Sequence, residues 1–241
     1  MQPLLIALQF LTCLPIRLAG MPSAEQLGRS LLWYPLVGLL VGLALFGLNR
    51  VLAGSPPLLH AALLLTTWVA LSGGLHLDGL ADSADAWLGG LGDRARTLLI
   101  MKDPRSGPLA VVVLVLVLVL KFAALVALVE QGHALALVLA PWLARGLLPL
   151  LWLTTPYVRA GGLGQALADH LPRDRVPALL AGWAVLVLLG GAAGWLALLL
   201  ALAVFAGLRR MMLARLGGTT GDTAGALVEL VESAVLVGLA L

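Results

Sequence analysis

The chain has 241 residues, 61% of them hydrophobic and 11% charged, with a mean hydropathy of +1.04, whereas soluble domains carry roughly 25% charged residues. Apolar runs extend from end to end, with no polar stretch long enough to fold apart from them, so one membrane domain over 1–241 is expected. The net charge of +3 is scattered through short loops and forms no tract that could follow a nucleic-acid backbone; no nucleic-acid partner is expected.

The opening "MQPLLIALQFLTCLPIRL" has no basic region before its apolar stretch and no small-residue cleavage site, so it reads as mature chain and as an interfacial helix. Its Cys13, the single cysteine, has no internal disulfide partner and reads as a small apolar group. A helix crosses the bilayer with about 20 apolar residues. Spans are predicted at 31–48, 58–77, 109–129, 134–153 and 223–241. The run from Val176 to Leu208 is too long for one span and softens at "GGAAG", which predicts a hairpin of short helices at 176–190 and 193–208. The fold class is therefore all-α, a polytopic bundle of about six to seven transmembrane helices.

Threading the chain through these spans puts Arg17, Arg29, Arg94, Arg96, Lys102, Arg105, Arg159, Arg173, Arg175, Arg209, Arg210 and Arg215 on one side. The other side receives only Arg50, while Lys121 and Arg145 fall inside spans. Positive loops stay in the cytoplasm. The expected location is the cell inner membrane, with the first side and any site on it facing the cytoplasm.

The stretch "GGLHLDGLADSAD" lies on that side. Asp78, Asp82 and Asp85 follow an i, i+4, i+7 spacing and share one helix face. Three close carboxylates repel each other unless a cation compensates them, and oxygen-only ligands suit Mg²⁺ or Mn²⁺. The bland alternative is a solvated helix end. His76, two residues before Asp78, points away from it and reads as a packing or supporting group.

A second constellation, "GGTTGDTAGALVELVE", carries Asp222, Glu229 and Glu232 into the last span. Carboxylates within a span are costly and by default functional. Thr219, Thr220 and Gly221 before them form a flexible entry in which the threonine hydroxyls can cap the helix, and a helix N-terminus favours phosphate. The alternative for Glu229 and Glu232 is pairing with Arg145 or Lys121 as structural glue. In "IMKDPRSGPLA", Lys102 and Arg105 are suited to clamp phosphate oxygens while Asp103 or Ser106 orients them, although a short basic loop also serves as a topology signal. Arg145, inside a span, needs an anionic partner, whether protein or ligand. "VRAGGLGQAL" adds Arg159 and a glycine turn containing Gly162 and Gly164, a weak phosphate-loop pattern. No Ser-His-Asp order, Cys-His cluster or zinc spacing is present. Acids, cations and helix ends on one face suit phosphoryl transfer, which needs alignment and charge neutralisation more than covalent participation.

"GGLHLDGLADSADA", "MKDPRSG", "GLGQAL" and "GGTTGDTAGALVELVE", in this order, together with "YPLVGLLVG" at 34–42, resemble the cobalamin-5'-phosphate synthase family from about residue 11 onward. The resemblance implies an Mg²⁺-dependent transferase that joins α-ribazole, or its 5'-phosphate, to adenosylcobinamide-GDP with release of GMP. It implies a corrinoid nucleotide and α-ribazole as substrates and the lipid bilayer as surroundings, and it leaves self-association into a homo-oligomer open. The family's aspartates carry over onto Asp78, Asp82, Asp85 and Asp222, its basic loop onto Lys102, Asp103 and Arg105, and its acidic last helix onto Glu229 and Glu232. Asp82, Lys102, Arg105 and Asp222 are the expected catalytic residues. The sequence departs from the family at Ala86, where Gly is common, and at Pro108, Leu109 and Ala110. The rival reading is a transporter or proton-coupled carrier whose path is lined by Glu229, Glu232 and Arg145.

Overall fold

The computed structural model describes residues 1–241, the side chain of Leu163 excepted. Helix α1 (Gln2–Leu11) leads to α2 (Ala24–Ser30), which is opened by a reciprocal cap between Ser23 and Gln26. Through one 3-10 turn α2 runs into α3 (Tyr34–Val51), giving a continuous apolar stretch from Ala24 to Val51. Next come α4 (Pro57–Ser72), α5 (Leu75–Gly89), α6 (Arg94–Ile100), α7 (Pro108–Gln131) and α8 (Leu135–Thr154). The chain closes with α9 (Leu163–Asp169), α10 (Val176–Leu188), α11 (Gly191–Leu216) and α12 (Gly221–Ala240). The architecture is an all-α polytopic bundle. Among the described residues the only β pairing is a single parallel bridge between Tyr157 and Thr219.

Among the described residues five stretches are long and apolar enough to cross a membrane, and a sixth crossing arises if α4 and α5 are taken together, bent by 86°. The expected straight span over 58–77 is thus broken. Gly73 and Gly74 both take left-handed backbone (φ 61° and 70°), which ends α4 and starts α5 in a new direction. The expected hairpin does break beside Gly190, but its arms are unequal. Helix α10 has 13 residues, while α11 has 26 because its helical hydrogen bonding continues past the apolar part through Arg209, Arg210 and Arg215.

Two close helix crossings set the frame. In "YPLVGLLVG" Gly38 and Gly42 lie against α8, where an added Cβ would stand 2.5 Å from the Pro141 carbonyl oxygen and 2.8 Å from the Val138 Cα, respectively. Without a hydrophobic force between helices in lipid, small residues of this kind let backbones approach and gain dispersion contacts. At the second crossing Gly79 of α5 meets α12, and a Cβ on it would lie 2.7 Å from the Asp222 carbonyl oxygen and 3.2 Å from the Gly225 Cα. This crossing brings the aspartate stripe to the start of α12.

Between α4, α7, α8 and α12 lies a buried charge quartet. Lys121 Nζ donates to Glu229 at 2.5 Å and to Glu232 at 2.6 Å, and Arg145 donates to Glu232. Trp68 Nε1 also donates to Glu232, at 3.3 Å, and its ring lies 5.1 Å under the Lys121 ammonium. Two cations face two carboxylates, and all four side chains are at most 5% exposed. Pairing of this kind lets ionised groups stand in the apolar interior.

Candidate functional site

A cavity of about 420 Å³ opens among α1, α3, α5, α8, α12 and the segment before α9. Its polar end is built by three local devices. The first is the Gly79 crossing, which sets Asp78 beside Asp222. The second is the start of α12. Thr220 accepts from the Thr223 amide at 3.2 Å and Thr223 accepts from the Thr220 amide at 2.9 Å, a reciprocal cap that fixes the helix end and leaves Asp222 free to face outward. The third is the bridge between the extended 156–158 segment and Thr219, with Val158 N donating to Thr219 O at 2.9 Å and Thr219 N to Pro156 O at 2.8 Å. That bridge carries Arg159 to Asp222, where guanidinium and carboxylate meet at 2.7 Å.

Much of the remaining lining is aromatic and apolar. Phe10 stacks on Tyr34 with ring centroids 6.3 Å apart, and Trp152 on Tyr157 at 6.5 Å. Leu11, Leu75, Leu148 and Leu167 complete this wall, and Gly161, Gly162, Gly164 and Gly221 also line the cavity. Burial holds the Tyr157 phenol above its ordinary pKa, so it stays protonated. His76 also lines the cavity, and its Nδ1 is buried without a partner among the described residues.

The residues expected to form the site fall into four groups. Asp78, Arg159, Gly162, Gly164, Gly221 and Asp222 line the cavity together. Asp82 lies half-buried one turn beyond Asp78, within electrostatic reach of Asp78, Asp222 and Asp85. Asp85 is committed elsewhere: its carboxylate accepts the Gly107 amide at 2.5 Å and the Ala110 amide at 2.9 Å, capping α7. Thr219 and Thr220 are buried and do not line the cavity; Thr220 caps α12 and the Thr219 hydroxyl is hydrogen-bonded with that of Thr223.

Lys102, Asp103, Arg105 and Ser106 form a neighbouring loop that does not line the cavity. There Arg105 closes on Asp103 through two hydrogen bonds of 2.9 and 2.7 Å, which hold the Asp103 carboxyl down at about 2. Arg145, Glu229 and Glu232 point into the buried quartet, the arrangement expected of structural glue, and none of them lines the cavity. No motif marked the aromatic wall as part of a site, although Tyr34 opens "YPLVGLLVG". Tyr157, two residues before Arg159, had the one local signal, whereas Phe10, Tyr34 and Trp152 meet only through helix packing.

The donor set at the polar end is all oxygen, and several negative charges face the single cation of Arg159. Among the described residues no three acidic, histidine or cysteine side chains close into a cage. One or two open carboxylates with room for water and phosphate oxygens is the arrangement Mg²⁺ takes, whereas zinc asks for nitrogen or sulfur and a closed tetrahedron. The residues fit a hard divalent cation held jointly with a substrate.

The family profile described as Cobalamin-5-phosphate synthase matches residues 3–240. The chain belongs to this family. A relative in Pseudomonas aeruginosa named adenosylcobinamide-GDP ribazoletransferase is 68% identical over 241 residues, covering 100% of this chain and 98% of that protein. A relative of the same name in Pseudomonas fluorescens is 69% identical with both chains covered in full, and one in Ectopseudomonas mendocina is 65% identical over 98% of this chain and 97% of its own. No solved structure matches the chain. For this family, then, the observed placement of Asp78, Arg159 and Asp222 around one cavity comes from the fold described above.

Proposed function

We propose that this protein is an adenosylcobinamide-GDP ribazoletransferase that works at the cytoplasmic face of the cell inner membrane. It joins α-ribazole or its 5'-phosphate to adenosylcobinamide-GDP and releases GMP. The supporting observation is the convergence of Asp78 on α5, Asp222 on α12 and Arg159 on one cavity, in a chain whose full-length relatives carry that name. The carrier reading loses its path, because the acids and the arginine assigned to it are consumed by one another in the quartet.

The chemistry is a displacement at phosphorus. The ribose 3'-oxygen bonds to the phosphorus nearer the corrinoid, the bond from that phosphorus to the bridging oxygen breaks, and GMP leaves with that oxygen. Asp78, Asp82 and Asp222 are the residues that would hold Mg²⁺, which supplies neutralisation of the charge building on the GMP phosphate. A carboxylate has two oxygens, so Asp78, to which no hydrogen-bond donor is committed, also takes the proton of the attacking hydroxyl. Arg159 holds Asp222 in place and presents its remaining N–H groups to phosphate oxygens. The N-terminal amides of α12 face the same charge. Lys102 and Arg105 contribute from the neighbouring loop, whose end is tied to Asp85, to a substrate larger than the cavity.

Purified protein in detergent, given adenosylcobinamide-GDP, α-ribazole and Mg²⁺, releases GMP; chelation stops the release and added Mg²⁺ or Mn²⁺ restores it. No release from a folded sample overturns the reading. Cysteines placed at Arg96 and Arg173 are expected to react with an impermeant reagent only from the cytoplasmic face, and labelling of intact cells at either position reverses the orientation.

A further inference from the structure

The cavity lining combines a charged cluster with an aromatic, apolar wall, and that wall takes one particular part of one substrate. Three planar groups are available under the transferase reading, on which this inference rests: a corrin ring, a guanine and the benzimidazole of α-ribazole. The corrin ring with its side chains exceeds about 420 Å³ of space. Guanine has donors and acceptors on both edges, and a site that buries them without partners loses heavily. The polar atoms of the aromatic wall are already engaged. Trp152 Nε1 donates to the Gly164 carbonyl at 3.3 Å, the Tyr34 hydroxyl is hydrogen-bonded with Ser30, and the Tyr157 hydroxyl lies against the backbone of Gly164 and Gly221. What remains is a stack of rings and leucines with one unmet hydrogen-bonding group, Nδ1 of His76, whose side chain is 3% exposed. A benzimidazole nucleoside matches that inventory: an apolar bicycle whose single free ring nitrogen is an acceptor.

We infer that this cavity is the acceptor-nucleoside subsite. The benzimidazole lies against Phe10, Tyr34, Trp152 and Tyr157, His76 donates its Nδ1 hydrogen to the free ring nitrogen, and the ribose points toward Asp78 and Asp222. The orientation follows from the lining, because the ribose is the polar part of the nucleoside and Asp78 and Asp222 are the acidic part of the lining. The corrinoid nucleotide then approaches from outside, over the rim formed by Asp82 and the Lys102–Arg105 loop. Stacking on aromatic side chains is worth about 5- to 100-fold in affinity per base, so these residues set the KM for the nucleoside.

The test is steady-state GMP release from the purified protein with each substrate varied in turn. Trp152→Leu and Tyr157→Leu are expected to raise the KM for α-ribazole about 5- to 100-fold and leave the KM for adenosylcobinamide-GDP unchanged. A rise confined to the corrinoid nucleotide overturns the assignment. Unmodified protein supplies a second readout, independent of whether a variant folds: free 5,6-dimethylbenzimidazole competes with α-ribazole and guanosine does not, whereas competition by guanosine against α-ribazole overturns it. For His76, replacing the free ring nitrogen of the nucleoside by CH weakens binding to the natural protein and makes no difference in His76→Phe; equal losses in both remove His76 from the subsite. If unmodified protein releases no GMP at all, the transferase reading itself falls. If it releases GMP but the KM shifts move to the other substrate, only the subsite falls.

Discussion

Two clusters of charge stand in this bundle, and they differ in balance. The quartet of Lys121, Arg145, Glu229 and Glu232 pairs two cations with two carboxylates and is closed to solvent. The cluster of Asp78, Asp82 and Asp222 is paired, among the described residues, with Arg159 through Asp222 and opens onto a cavity. An ionised group inside a membrane bundle must be neutralised by something. Where the protein supplies all the counter-charge the cluster ties helices together; where it leaves an excess of acid beside a cavity, the missing charge is the ligand's to bring. Sequence position alone does not separate the two, since Asp222 and Glu229 lie on the same helix.

The comparison breaks most visibly at Lys121. Lys121→Met leaves two buried carboxylates to share Arg145 and is expected to cost about 3–5 kcal/mol, read as a large drop in melting temperature in detergent. Adding Glu229→Gln to it is expected to recover part of the loss, which distinguishes charge imbalance from lost packing. The second effect falls on catalysis. Asp78→Asn and Asp222→Asn are expected to slow GMP release by about 10²- to 10³-fold while melting stays near that of the natural protein. Asp222→Ser is expected to be equally slow, because Thr220 already caps α12; normal turnover in that variant makes Asp222 structural.

Gly79→Ala probes the crossing that joins the two helices of the open cluster. A Cβ there meets backbone 2.7 Å away, so the helices separate and overpacking costs about 1–3 kcal/mol, with turnover falling together with stability. The smallest effect belongs to the Asp103 and Arg105 pair. Asp103 titrates at about 2, below its ordinary range, because Arg105 hydrogen-bonds it. Its contribution is therefore full above the ordinary carboxylate range and is lost only as pH falls toward about 2. The pair is exposed, so Asp103→Asn is expected to leave melting between pH 5 and 8 (about neutral, where both ions persist) unchanged. A KM rise for adenosylcobinamide-GDP in Arg105→Ala marks the loop as part of the outer site; an unchanged KM marks it as a topology signal.

Local chemistry made much of this molecule readable. Composition demanded membrane helices because 61% apolar residues find no other stable surroundings, and the i, i+4, i+7 spacing placed Asp78, Asp82 and Asp85 on one helix face whatever that face touches. The cap at Thr220 was likewise visible, since a cap spans three residues. The pair Gly73–Gly74 shows the limit of that reading. The apolar run continues across it, so hydropathy suggests one span, while two adjacent left-handed residues bend the chain by 86°.

Partner choice lay beyond any local rule. That Glu229 and Glu232 are spent on Lys121 and Arg145, that Asp85 caps α7 instead of joining the open acids, and that Arg159, not Lys102 or Arg105, reaches the cavity all depend on which helices cross and at what depth. Those crossings are settled by close approaches such as Gly79 on Gly225, a property of two surfaces meeting. The aromatic wall is the extreme case: Phe10 and Tyr34 come from the start of the chain and Trp152 and Tyr157 from beyond its middle, and the two pairs share one cavity only when α1, α3 and α8 pack. Helices and their polar faces follow from the order of residues along the chain, whereas the charge left over at the cavity is a sum over contacts that only the packed bundle makes.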